Sequence, residues 1–284
     1  ETLYQKMRAL IIYLVISAVF IGCTPILSID ASTQSVYHFS DTDKNISLLD
    51  ISETFGTYDG SFVLYDNNLD SWKIYDLEEA TKRIPPESTY KIYDALLGLE
   101  SGIITPEHSS MTWNGDAFPF PSWEADQDLN SAMQNSVNWY FQAIDSQLGI
   151  NRVQEFLNKI EYGNQTTSSN LDLYWSDFSL KISPLEQVTL LKKFNTNEFH
   201  LNSQNVFSVK NAIKIASTPN GNFYGKTGTG RVNGQDINGW FIGYVETSDN
   251  SYYFATNIQS DSNATGKKAF EITSDILKKL HIWN

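Results

Sequence analysis

Apolar segments of strand character stand at both ends of this chain, and a long helix-forming stretch separates them. On the N-terminal side, "GSFVLYD" (60–66) and "WKIYD" (72–76) are rich in β-branched and aromatic residues. The "NNLDS" between them is turn chemistry, so the pair reads as a hairpin. Strand character returns only with "NFYGKTG" (222–228), "GWFIGYVET" (239–247) and "SYYFATNI" (251–258), each bounded by Gly, Asn or Asp. Between 88 and about 194 the apolar spacing is mostly helical, as in "SAMQNSVNWYFQAIDSQLG" and "SPLEQVTLLKKF". A last amphipathic segment, "GKKAFEITSDILKKL", closes the chain. An isolated hairpin is marginal in water, so the early strands must complete a sheet with the late ones. This predicts one α+β domain over 55–284, with an antiparallel sheet assembled from both chain ends plus a helical region. No internal repeat is visible.

The 284 residues, 41% of them hydrophobic and 13% aromatic, suffice for a substantial core. Twenty basic residues against 33 acidic give a net charge of −13 without a basic stripe, which argues against a nucleic-acid partner. The single cysteine, Cys23, excludes an internal disulfide or a thiolate metal cluster. The four histidines, His38, His108, His200 and His281, show no ligand spacing, so a metal site or a histidine-based triad has little support. Residues 9–29, "ALIIYLVISAVFIGCTPILSI", carry no charge and are long enough to span a bilayer. Lys6 and Arg8 precede the segment and no basic cluster follows, which places 1–8 as a cytoplasmic stub and the rest on the extracytoplasmic face of the cell membrane. Two readings remain open: a permanent transmembrane anchor, or a lipoprotein signal in which "FIGC" is processed and Cys23 acylated. Polar residues 30–54 read as a linker.

Three short motifs lie within the expected domain: Ser88-Thr-Tyr-Lys91, Ser136-Val-Asn138 and Lys226-Thr227-Gly228. Each has an ordinary reading alone. Ser88, after two prolines in "IPPESTYKIYDALLGLE", is a plausible helix N-cap, and Lys91 a surface lysine. Taken together and in this order they resemble the signature of serine β-lactamases and penicillin-binding proteins. The first pair should open a helix, the second fall between helical stretches, and the third end a strand.

The spacing suits the chemistry. A serine hydroxyl needs a neighbouring base, and positions i and i+3 share a helix face, so Lys91 can serve Ser88. Lys91 must then be neutral, which apolar neighbours such as Ile92, Ala95, Leu96 and Leu99 promote. The backbone N–H groups of Ser88 and Thr229 would form an oxyanion hole. Ser136 would relay the proton to the leaving nitrogen. Lys226 and Thr227, with Gly228, would meet a substrate carboxylate.

The match narrows further. "YGNQTTSSNLDLYW" (162–175) resembles the class D β-lactamase segment that begins Y-G-N and ends in a tryptophan, here Trp175. "SLKISPLEQVTLL" and "KTGTGRVNGQDINGWFIGYVE" are similar to that family too. The S-T-Y-K form, "SVNWYFQ" and "NGWFIGYVET" resemble one branch in particular, the extracellular domains of BlaR/MecR-type β-lactam sensor-transducers. The resemblance implies the penicillin-recognising fold, acylation of Ser88 by β-lactam antibiotics, and no cofactor beyond CO2 bound as a carbamate on Lys91, which Trp175 would steady. For a sensor it also implies an upstream zinc-protease portion as the membrane partner. Two departures bear on function. Class D enzymes usually carry an apolar third residue in the second motif, where this chain has Asn138, an amide that would compete with the carbamate and otherwise bind the antibiotic. The arginine that often holds the substrate carboxylate is replaced in "NATGKKAF" by Lys267 or Lys268, with Arg231 elsewhere. A slowly deacylating sensor and a tethered class D β-lactamase are the competing readings; a peptidoglycan transpeptidase or carboxypeptidase uses the same motifs.

Overall fold

The computed structural model describes residues 45–284. The stub at 1–8, the membrane or lipoprotein segment at 9–29 and Cys23 lie outside the described residues. Among those described, no helix is long and apolar enough to cross a membrane.

A seven-stranded sheet forms the spine, in the order β1-β3-β2-β7-β6-β5-β4. The expected hairpin is β2 (Asp59–Asp66) and β3 (Ser71–Tyr75), paired antiparallel. The C-terminal strands are β5 (Gly221–Val232), β6 (Gln235–Glu246) and β7 (Ser251–Gln259), and β2 pairs with β7 to join the two chain ends. The short β4 (Lys214–Thr218) extends the far edge beside β5. The sheet is mixed rather than purely antiparallel, because β1 (Ile46–Leu48) runs parallel to β3. β1 and the helical turn α1 (Ser52–Phe55) also shorten the linker expected at 30–54. Ile46 packs on one core and Leu49, Ile51 and Phe55 on the other, which gives this polar-looking stretch its order.

Both faces of the sheet are covered, so its central strands read as nearly continuous apolar runs. The period of two sorts them. Phe62 and Leu64 of β2, Phe241 and Val245 of β6, and Phe254 and Ile258 of β7 pack under the last helix, α9 (Gly266–Lys279), with its Ile272 and Ile276. Their neighbours Val63, Tyr65, Trp240, Ile242, Tyr244, Tyr253 and Ala255 face the larger core on the opposite side.

The helical region fills that side. α2 (Leu77–Thr81) follows the hairpin, and a 3-10 turn at Glu87–Tyr90 leads into α3 (Lys91–Glu100). Residues 91–99 of α3 are all buried, so it is the central rod of the layer. Around it lie α4 (Leu129–Gln134), α5 (Asn138–Leu148), α6 (Ile150–Ile160), α7 (Pro184–Asn195) and α8 (Ser203–Ala212). α6 buries Val153, Phe156, Leu157 and Ile160, the i, i+3, i+4, i+7 stripe of an amphipathic helix. Ser183 and Glu186 close a capping box at α7, with Pro184 in the first helical position.

Candidate active site

Ser88 lies inside the 3-10 turn and Lys91 is the first residue of α3, so the pair spans the junction of the two rather than the start of one helix. Lys91 is fully buried. Its Nζ lies 2.8 Å from Ser88 Oγ, 3.0 Å from the Ser136 carbonyl, 3.1 Å from Ser136 Oγ and 2.5 Å from Asn138 Oδ1. The Phe141 ring centroid is 5.7 Å away and closes the apolar side. Burial, and then the charge of Lys226, push the amine well below its ordinary value, against the pull of Asp94 and Glu87. Lys91 is therefore poised as a neutral amine hydrogen-bonded to a hydroxyl.

Ser136 comes from a break between α4 and α5. Its φ is +54°, in the left-handed region, and its N–H donates to Met133 O at 3.2 Å. Val137 N–H donates to Ala132 O at 2.9 Å. That reversal lets both the hydroxyl and the carbonyl of one residue reach Lys91. Asn138 then opens α5, with its amide oxygen on the same nitrogen.

Lys226, Thr227 and Gly228 sit in the middle of β5 rather than at a strand end, because the β5–β6 ladder continues past them to Val232. Lys226 Nζ is 3.1 Å from Ser136 Oγ, so one hydroxyl bridges the two lysines, and burial lowers Lys226 to about 7. A Cβ on Gly228 would stand 3.1 Å from Pro86 O and 3.2 Å from Ser88 N, so glycine lets the strand approach the Ser88 turn. Gly225 N–H donates to Ile213 O at 2.9 Å on the β4 side of the strand. Alternation turns the N–H of Thr229 to that same edge, past the end of β4. Thr229 Oγ1 accepts from Gly266 N at 2.8 Å, which ties β5 to the start of α9, and Thr227 packs there against Gly266.

Trp175 is buried against Tyr90, the residue before Lys91, with ring centroids 6.1 Å apart. Its carbonyl accepts the Glu87 N–H at 3.0 Å, so it braces the turn through the backbone as well. Of the cations considered for a carboxylate, Arg231 pairs with Asp236 at 2.8 Å, Lys268 with Glu271 at 3.4 Å, and Lys267 is exposed.

Two features escaped the motif reading. Glu87, directly before Ser88, is buried, and burial pushes its carboxyl up to about 8. Asp94 and Asp145, from α3 and α5, are fully buried beside each other, with the Tyr174 hydroxyl near Asp145. Burial, and then the charge of Asp145, push Asp94 well above its ordinary value. Asp94 follows Lys91 by three residues, which is the one hint sequence offers of this pair.

Comparison with known proteins agrees with this geometry. The family model described as the penicillin binding protein transpeptidase domain matches residues 56–278. The regulatory protein BlaR1 of Bacillus licheniformis is 44% identical over 99% of this chain and 46% of its own length, so the chain spans about half of that relative. The probable β-lactamase YbxI of Bacillus subtilis is 37% identical over 83% of this chain and 86% of its own. The solved C-terminal domain of the Bacillus licheniformis BlaR penicillin-receptor is 46% identical, covers 84% of this chain and 98% of that one, and superposes with a TM-score of 0.82. The chain belongs to the penicillin-binding transpeptidase-domain family, in the branch shared by class D β-lactamases and BlaR1/MecR1 sensor domains.

Proposed function

We propose that this domain is the extracytoplasmic sensor of a β-lactam resistance transducer, acylated by the antibiotic at Ser88 and slow to release it. The observation that carries the proposal is the clasp on Lys91: one neutral amine, 2.8 Å from the nucleophile and 2.5 Å from Asn138 Oδ1. Lys91 takes the Ser88 proton as Oγ attacks the lactam carbonyl and the C–N bond breaks. Ser136, within 3.1 Å of Lys91, hands a proton to the leaving nitrogen. Lys226 draws the substrate carboxylate, Thr227 and Gly228 line that side, and the Ser88 and Thr229 N–H groups hold the oxyanion.

Release of the acyl group needs an activated water, and in class D chemistry that base is a carbamate on the lysine. The surroundings of Lys91 fit a carbamate poorly. The Ser136 carbonyl and Asn138 Oδ1 are acceptors, and they favour a nitrogen that still bears hydrogens over a carboxylate. Trp175 keeps its structural place behind Tyr90 without that partner. On this reading the uncharged segment at 9–29 tethers the domain, and the acylation signal passes to a zinc-protease portion of a longer chain.

The alternative is a tethered class D β-lactamase, favoured by the likeness to YbxI and by Trp175 at the end of its segment. Intact-mass measurement after exposure to penicillin separates them. A sensor keeps the adduct on Ser88 for many minutes, whereas a hydrolase returns to its free mass as the drug is consumed.

A further inference from the structure

The residue before the nucleophile occupies an unusual position. Glu87 has φ +52°, a left-handed conformation that is unfavourable for a residue with a side chain. Its N–H is held by Trp175 O, and the Ser88 nitrogen that follows lies against Gly228 of β5. The carboxyl turns away from solvent, beneath the turn. There it accepts from Asn238 Nδ2 at 3.2 Å, and the same amide donates to Pro85 O at 3.1 Å. Asn238 Oδ1 is fixed by Asn257 Nδ2 at 2.8 Å, and Asn257 Oδ1 by Gln259 Nε2 at 3.1 Å. A chain of amides from β6 and β7 thus ends on one carboxyl. On the other side Gly230 of β5 leaves it room, since any Cβ there would collide with Oε1. The carboxyl borders a cavity of about 90 Å³ whose walls include Ile84, Pro85 and Phe178.

No ion pair to this carboxyl forms among the described residues. Arg231 borders the same cavity but spends its guanidinium on Asp236. Lys91 and Lys226 turn their amines to Ser136, on the substrate side. The loop beyond Trp175 adds Asp177, which is exposed, and β7 contributes only the amide of Gln259. A buried carboxyl with an amide donor and no cation is a neutral acid at neutral pH. Ionised, it would put negative charge one residue from the N–H that must stabilise an oxyanion, and it would demand hydration that its burial denies it.

We propose that Glu87 is a positioning residue for acylation: its neutral carboxyl, docked on Asn238 and against Gly230, holds the turn that aims the Ser88 N–H, and ionisation of that carboxyl slows acylation. The inference rests on Ser88 being the acylated residue. It is consistent with burial raising the group to about 8, so that it charges just above neutral pH.

The test compares second-order acylation rates of the full chain with a fluorescent penicillin at pH 7 and pH 9.5, in wild type and Glu87→Gln. The readout is each protein's own ratio of the two rates. Lys226 titrates in both, so its share of any alkaline loss cancels. Wild type should lose about tenfold more than Glu87→Gln; equal ratios would overturn the inference while leaving Ser88 acylation intact. Absence of any Ser88 adduct in wild type would instead overturn the reading beneath it, and this inference with it. Should Glu87→Gln fail to fold, Asn238→Ala takes its place. That change removes the amide that stabilises the anion, so the alkaline loss should move to higher pH, and a loss at unchanged pH would refute the idea.

Discussion

Replacing Asn138 with valine attacks the step that separates sensor from hydrolase. In wild type the Lys91 amine makes its shortest contact, 2.5 Å, with Asn138 Oδ1. Loss of that bond leaves the amine with Ser88 Oγ and both oxygens of Ser136, so the acylation machinery stays connected. It also replaces an acceptor by an apolar wall that continues Val137 and Phe141, both fully buried. A hydrogen bond of this kind contributes about 1–3 kcal/mol, the upper part of the range applying when a partner is charged. Removed from the free-amine side of the equilibrium with CO2, that energy shifts carbamate occupancy by about 5- to 150-fold. A sensor that holds its adduct for minutes is at least ~10³-fold slower than an ordinary enzyme, a gap of about 4 kcal/mol. Asn138→Val should therefore recover part of the gap, speeding release about 10- to 100-fold in bicarbonate and less without it. Valine at the first position of α5 costs only about 0.5 kcal/mol in helix propensity, so the fold should survive. The assay is adduct lifetime by intact mass, with and without bicarbonate. Slow release unchanged in Asn138→Val would keep the sensor and refute the clasp as its cause.

Ser88→Ala should give no penicilloyl adduct, and peptide mapping that finds a stable adduct on another residue of wild type would sink the assignment. Lys226→Met should weaken acylation about 10- to 100-fold through loss of a charge-assisted contact to the substrate carboxylate, measured as the second-order rate with a penicillin. An equal rate would remove Lys226 from substrate binding. Glu87 also makes a stability prediction: its carboxyl is raised from 4.5 to about 8 on folding, so the unfolded chain binds fewer protons and stability falls as pH rises through that window. The full penalty, ~5 kcal/mol, is reached above pH 8. The melting temperature of Glu87→Gln relative to wild type should therefore climb from pH 5 to pH 8, and a flat difference would count against the buried neutral acid.

The sheet and the three motifs were legible because both are local. Apolar, β-branched and aromatic runs bounded by turn residues mark β2, β6 and β7 without knowledge of their partners, and each motif names its residues by short spacing. β1 was missed because "ISL" is brief and set among polar residues; only its parallel docking on β3 makes it a strand. Sequence reasoning puts the K-T-G motif at a strand end, yet β5 stays paired with β6 past it, and Gly228 and Gly230 make room there for the turn that carries Glu87 and Ser88. Glu87 was illegible for a related reason. Its partner Asn238 lies 151 residues away, and nothing in "PPES" announces that a charged residue will turn inward. The S-x-N motif gave the identity of Ser136 but not the left-handed break that makes it reach two lysines.

That break explains how one site can be efficient at acylation and poor at hydrolysis on the proposed reading. Ser136 Oγ stands 3.1 Å from Lys91 Nζ and 3.1 Å from Lys226 Nζ. Two ammonium groups around one hydroxyl repel, and the charge of Lys226 is the second cause that holds Lys91 neutral. When Lys91 takes the Ser88 proton, the site briefly carries both charges in a buried place, an arrangement that favours quick return of a proton through Ser136 to the departing nitrogen. Acylation is thus driven to completion by the same repulsion that prepared the base. Once the lactam has opened, Lys91 is neutral again but clasped by Asn138 and the Ser136 carbonyl, with its lone pair aimed at the now esterified Ser88 oxygen. On the proposed reading, Lys91 can activate a water at the acyl carbonyl only by giving up that clasp, so the hydroxyl bridge serves the first half of the reaction and the amide beside it holds back the second.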